Sequence, residues 1–129
     1  MNRLLQAEAL LSPCTLGDSK LKNRIVMASL TRTRADDHSK VPNELMAEYY
    51  AQRAGAGLIV TQGTFVSEQG QGWCGAPGVY NEEQRAGWER ITDAVHRAGG
   101  LMFVQLWHQG AVSHRFLYHD GRLPLGHPR

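Results

Sequence analysis

Three short apolar runs, Ile25-Val26-Met27-Ala28, Leu58-Ile59-Val60-Thr61 and Leu101 to Trp107, recur at about 33 and then about 43 residues, with a helix-length amphipathic stretch between each pair. Strands that alternate with helices argue for a parallel sheet joined by crossovers. The first stretch, Asn43 to Ala54, carries Leu45, Met46, Tyr49, Arg53 and Ala54 at helical spacing. Pro42 stands where a helix can begin, and Gly55-Ala56-Gly57 ends it. Tyr49 and Tyr50 read as core and helix surface. The second helix has the clearest caps: Asn81 accepts from first-turn amides, and Gln84 completes a capping-box spacing. Glu82 and Glu83 complement the positive end of its dipole, and His96 and Arg97 the negative end. Trp88, Ile91 and Val95 form its buried stripe, and Gly99-Gly100 stops it.

Ahead of these units, Cys14-Thr15-Leu16 and Lys20-Leu21-Lys22 flank Gly17-Asp18, which predicts a small hairpin within residues 12–24. A βαβαβ core over residues 25–115 follows. The tail from Phe116 to Arg129 shows no periodicity and reads as an irregular loop. About three strands and two helices leave a sheet with two open edges and poor cover, the proportions of the first third of a longer α/β chain. The same open edges predict self-association, and an isolated chain that aggregates or is molten.

The chain has 129 residues, 42% of them hydrophobic, enough for one domain with a core. Fourteen basic against twelve acidic residues leave +2, spread without blocks, so no nucleic-acid or anionic-membrane partner is expected. Cys14 and Cys74 stand in no metal or redox spacing and suit reduced thiols. The opening residues hold Glu8 where a secretion signal needs an apolar run, and no stretch reaches the length of a membrane helix. A cytoplasmic protein is expected.

Polar groups gather where the strands end. Ser29-Leu30-Thr31-Arg32 follows the first, Gln62-Gly63-Thr64 the second, and Gln105-Leu106-Trp107-His108 closes the third. Ligands of parallel α/β proteins bind at the carboxyl ends of strands, and hydroxyl, amide and carboxamide groups suit the rim of a flat, hydrogen-bonding heterocycle. Two other patterns lead elsewhere. Gly70-Gln71-Gly72-Trp73-Cys74-Gly75 has the glycine spacing of dinucleotide folds, but Ala76-Pro77-Gly78 follows where a helix should start, so it reads as a loop. His108, His114 and His119 share no helical face and no carboxylates support them, so no metal is expected. Arg32 and Arg34 read as solvated loop charges, with a phosphate patch as the alternative.

Asn23 to Arg32, Pro42 to Ala54, Gly72 to Gly78 and Gln105 to His108 together resemble the old yellow enzyme family of FMN-dependent ene-reductases, over about Ser12 to His114. The resemblance implies the N-terminal portion of a (β/α)8 TIM barrel whose bottom is closed by a hairpin. It implies FMN as cofactor, NADPH or NADH as reductant, and an activated alkene as the small-molecule substrate. Thr31 would tune the flavin through a hydrogen bond. Ser29 and Leu30 would meet the flavin ring, Gly63 would approach it through its amide, and Gln105 would pair with its pyrimidine edge. Trp73 and Trp107 would line the substrate side. Three positions depart from the family: Ser29 for its usual Pro, Gln62 for an acid, and Ala111 for Arg. The resemblance also implies that the family's substrate-holding His-His or His-Asn pair, its proton-donor Tyr and its phosphate-binding loops lie further along than residue 129. Two readings therefore stay open, an ene-reductase lineage or a truncated, non-catalytic fragment or assembly piece.

Overall fold

The computed structural model describes residues 3–126. Its elements run α1 (Arg3–Leu11), β1 (Cys14–Leu16), β2 (Ser19–Leu21), β3 (Val26–Met27), α2 (Glu44–Ala51), β4 (Leu58–Phe65), α3 (Glu82–Arg97) and β5 (Met102–Trp107). Short 3₁₀ turns occupy Glu68–Gly70, Gly110–Val112 and Arg115–Leu117. Strands β3, β4 and β5 form a parallel sheet with β4 in the centre, and β1 and β2 form a separate antiparallel hairpin.

The hairpin closes through Gly17-Asp18, with Leu16 opposite Ser19 and Gly17 at φ +55. A two-residue hairpin turn with glycine first uses that positive φ. Lys22, just past the hairpin, donates from Nζ to the carbonyls of Ala54 and Gly99, which end the two helical connections. Helix carbonyls left without intrahelical partners attract such a cation.

Helices α2 and α3 cover one face of the sheet. Met27, Ile59 and Met102 are in register across the three strands and share a core with Met46, Ala47 and Tyr50 of α2 and Trp88, Ile91 and Val95 of α3. Ile59, Ile91 and Val95 are fully enclosed. The opposite face is bare at its amino-terminal half, where Val26 and Phe103 are 47% and 48% exposed. The α3 stripe and its Asn81 cap match expectation, with Asn81 Oδ1 accepting from Gln84 N at 2.9 Å. The Gln84 side chain, however, reaches one residue further back than a capping box and accepts from Tyr80 N at 3.0 Å.

Several boundaries differ from expectation, each for a local reason. Helix α2 stops at Ala51 rather than Ala54 because its last turn tightens: Arg53 N bonds Tyr50 O and Ala54 N bonds Ala51 O, three residues back. Tyr50, not Tyr49, is the core residue of that pair, at 1% exposure. Strand β3 is only two residues long, and the Ile25 carbonyl before it is shared between Gly57 N at 2.9 Å and Leu58 N at 3.4 Å. Strand β4 extends four residues beyond Thr61, and residues 62–65 are all buried. Helix α1 was not anticipated. Its run of Leu, Gln, Ala and Glu has high helix propensity and no Gly or Pro, and Arg24 N donates to Leu10 O at 2.8 Å. The tail is not wholly loose: Tyr118 is 5% exposed and donates to Gln69 O at 2.9 Å. Its last three residues lie outside the described residues.

Candidate functional site at the carboxyl ends of the strands

The site depends on a bulge in β4. Val60 pairs with Phe103 and Gly63 with Gln105, so Thr61 and Gln62 together oppose Val104 alone. One extra residue reverses the side to which the rest of a strand points. Gln62 therefore turns toward α2, while Gly63 and Phe65 stay on the face away from the helices, level with Gln105 and Trp107. The Thr61 hydroxyl repairs the ladder: it accepts from Gln105 N at 3.1 Å and donates to Gln62 O at 2.9 Å.

On that face, Ser29 Oγ donates to Gln105 Oε1 at 2.6 Å, joining the ends of β3 and β5 across β4. With its oxygen so engaged, the exposed Gln105 carboxamide presents its NH₂ group as a donor. The Trp107 indole lies across Gly63, where a β-carbon would stand 1.8 Å from Trp107 Cε3. The same indole stacks on Phe65, with ring centroids 5.8 Å apart. Leu30 is 54% exposed and Thr31 half-buried. The segment carrying them is pinned at both ends, by Ser29 on Gln105 and by Arg32 N donating to Gln62 Oε1 at 2.7 Å.

Gln62 is itself only 1% exposed, and its backbone N–H donates to Tyr50 Oη at 2.9 Å. Burial pushes the Tyr50 phenol up to about 12, so it remains a neutral acceptor for that amide. The departure at position 62 is thus an uncharged carboxamide in a dry place, where a carboxylate would need a partner.

Five candidates, Ser29, Leu30, Thr31, Gly63 and Gln105, together with Trp107, gather at this end of the sheet. Two expectations change. Gln62-Gly63-Thr64 is not a loop start but the interior of β4, held there by pairing to Gln105 and Leu106. Gly63 is crowded by Trp107 itself, so the indole already requires a residue without a side chain there.

Trp73 stands elsewhere. It is 51% exposed and lines an open hollow with Thr33, Asp37, Cys74 and Leu117, shared with none of the other candidates. Its loop is clipped to the β3–α2 connection: Ala35 N donates to Gly75 O at 2.9 Å, and Gly75 N to Asp37 Oδ1 at 2.7 Å. That amide holds the Asp37 carboxyl below its ordinary range. Thr33 pays in strain for the close approach, with φ 51 at a β-branched residue.

Sequence reasoning missed the parts played by Thr61, Asp37 and Gln109. The Gln109 side chain fills the space a β-carbon on Gly72 would take, and its buried Nε2 has no partner among the described residues. Nothing in those residue types marks their roles, which arise from neighbours far along the chain. His108 and His114 each accept, through Nδ1, an amide two residues on. Among the described residues no three His, Cys, Asp or Glu side chains gather as a metal site, and no helix is long and apolar enough to cross a membrane.

A parallel sheet with α2 and α3 on one face and polar groups at its carboxyl ends has the arrangement found at the ligand-binding end of α/β barrels. Residues 9–120 match the NADH:flavin oxidoreductase / NADH oxidase family, and the chain belongs to it. It is 44% identical over 117 residues to 12-oxophytodienoate reductase 7 of Oryza sativa subsp. japonica, covering 90% of this chain and 29% of that protein. It is 46% identical over 103 residues to a chanoclavine-I aldehyde reductase of Penicillium roqueforti, covering 78% and 28%. Among solved structures it superposes on morphinone reductase in complex with tetrahydroNAD (TM-score 0.86, 44% identity, 90% of this chain and 31% of that one). It also superposes on the old yellow enzyme homologue from Zymomonas mobilis (TM-score 0.84, 49% identity, 90% and 32%). These structures are (β/α)8 barrels. The chain spans about a third of the length of such relatives.

Proposed function

We propose that the carboxyl ends of β3, β4 and β5 form one wall of an FMN site, in a protein that reduces electron-poor alkenes at the expense of NADH or NADPH. The observation that carries this reading is the Ser29–Gln105 hydrogen bond, which assembles a hydroxyl and a carboxamide beside the Gly63–Trp107 contact. FMN, when bound, supplies the hydride relay between the nicotinamide and the β-carbon of the alkene. The chain's own part is positioning. Gln105 donates to the heterocycle's pyrimidine edge, Thr31 hydrogen-bonds a ring carbonyl, and Ser29 and Leu30 meet the ring through backbone and packing. Gly63 lends its backbone and keeps Trp107 flat. Trp107 shields the substrate side from water.

The test is a titration of the purified chain with FMN, followed by its visible spectrum. A shifted flavin band, bleached by NADPH and restored by an enone, is expected of this reading; an unchanged free-flavin spectrum sinks it. Gln105→Ala removes one or two hydrogen bonds, about 1–2 kcal/mol in all, and should weaken FMN binding roughly tenfold.

A second reading has its own support. Val26 and Phe103 are 47% and 48% exposed on the face without helices, and among the described residues β3 and β5 are unpaired on their outer sides. On this reading the chain acts as an assembly piece whose bare sheet is covered by other chains, and it has no turnover alone.

A further inference from the structure

A second cavity, of about 160 Å³, lies on the other side of the sheet, between α2 and the loop that leaves β3. Arg32, Arg34, Leu45, Met46, Tyr49 and Gln62 line it. The Gln62 carboxamide is its buried polar element. Its oxygen is engaged by Arg32 N, while among the described residues Nε2 reaches only the Met46 thioether, at 3.8 Å. A thioether is a weak acceptor, so a buried amide donor remains nearly unused on the cavity wall. Leu45, Met46 and Tyr49 make the other walls apolar and partly aromatic. Both arginines are exposed, and among the described residues neither pairs with a carboxylate. Arg32 holds its guanidinium 5.6 Å from the centre of the Tyr49 ring. Arg34 uses one nitrogen on the carbonyls of Arg32 and Thr33 and keeps the rest of its fork free.

We propose that this cavity binds a small organic monoanion, a carboxylate carried on a single hydrocarbon ring. Three features select that class. The volume suits one ring, since a cavity of about 150 Å³ in another protein accepts benzene. Apolar walls would gain nothing from an inorganic anion, and two unpaired guanidinium groups would gain nothing from a neutral hydrocarbon. The ring lies against Leu45, Met46 and Tyr49, and its carboxylate meets the arginines. This site faces away from the Ser29–Gln105 pair and stands whether or not the flavin reading does.

The experiment uses the full chain with 4-fluorophenylacetate as probe, observed by fluorine NMR. Saturable broadening and a shifted signal are expected. Replacing the probe by its neutral amide, or both arginines at once by Arg32→Gln and Arg34→Gln, should weaken binding roughly tenfold or more. Leu45→Trp, at a position 58% exposed and so compatible with the fold, should block the cavity and abolish the signal. Excess FMN should leave binding unchanged. The proposal is overturned by a chain that shows no saturable binding, by equal binding of the amide, by full binding to the Leu45→Trp chain, or by displacement with FMN.

Discussion

Any side chain at position 63 must displace Trp107, because even a β-carbon would sit 1.8 Å from the indole. Gly63→Ala should therefore cost about 1–3 kcal/mol, the usual penalty of overpacking, read as a lower urea midpoint together with a changed near-ultraviolet circular dichroism of tryptophan. Pairing it with Trp107→Ala should return part of that loss; a strictly additive double variant would show that the contact is not the cause. Tyr50 makes a second residue-scale case. Its folded phenol is raised to about 12 from 10.0, so the protonated form is favoured by folding. That contribution is complete below about pH 10 and is lost as pH rises toward 12. Tyr50→Phe removes the acceptor of the Gln62 amide, which should cost about 1–3 kcal/mol at neutral pH and flatten this alkaline loss in a pH series of thermal melts. At this scale little beyond residue type was legible. Ser29, Thr31 and Gln105 stood out because they are polar at strand ends, and their roles came from resemblance. The Trp107 contact with Gly63 and the Tyr50 contact with Gln62 join distant or oppositely facing residues, which no local pattern encodes.

Among the elements, α3 was the most legible because everything that defines it lies within its own span: Asn81 at the cap, acids first, bases last, and Trp88, Ile91 and Val95 on one side. Its N-terminus also separates two kinds of stabilisation. Asn81→Ala should cost about 1 kcal/mol, the worth of a cap. Gln84→Ala should cost more, because the enclosed Gln84 accepts from Tyr80 N at 3.0 Å and donates to Ser39 O at 2.8 Å. Losing it strands two buried backbone groups, about 1–3 kcal/mol each. Equal midpoints for the two variants in a urea series would refute this ranking. The ends of α2 and β4 were less legible, in opposite senses. Helical spacing continues through Ala54, although the backbone has already tightened. Thr61 and Gln62 look like a strand's end, yet Gln105, Arg32 and Tyr50 satisfy their polar groups and the strand continues.

At the scale of the molecule, the order from the hairpin onward was legible, because alternating segments leave few ways to connect a parallel sheet, whereas α1 ahead of it was not. What covers the sheet was not. Helices α2 and α3 share one face, and Val26 and Phe103 stand bare on the other. The chain should therefore associate as its concentration rises, and Phe103→Lys should reduce that association by placing a charge on the bare face. Sedimentation across a concentration series checks this; an unmodified chain that stays monomeric throughout would end it. The hairpin leaves a different trace. Of the three lysines in the sequence, Lys20 is exposed, Lys22 is committed to the carbonyls of Ala54 and Gly99, and Lys40 is buried against Asp37. An acylating reagent should modify Lys20 well ahead of the other two. The lag at Lys22 is then a chemical clock for the hairpin, and a mass spectrum taken at intervals would time how often it lifts away from the helix ends.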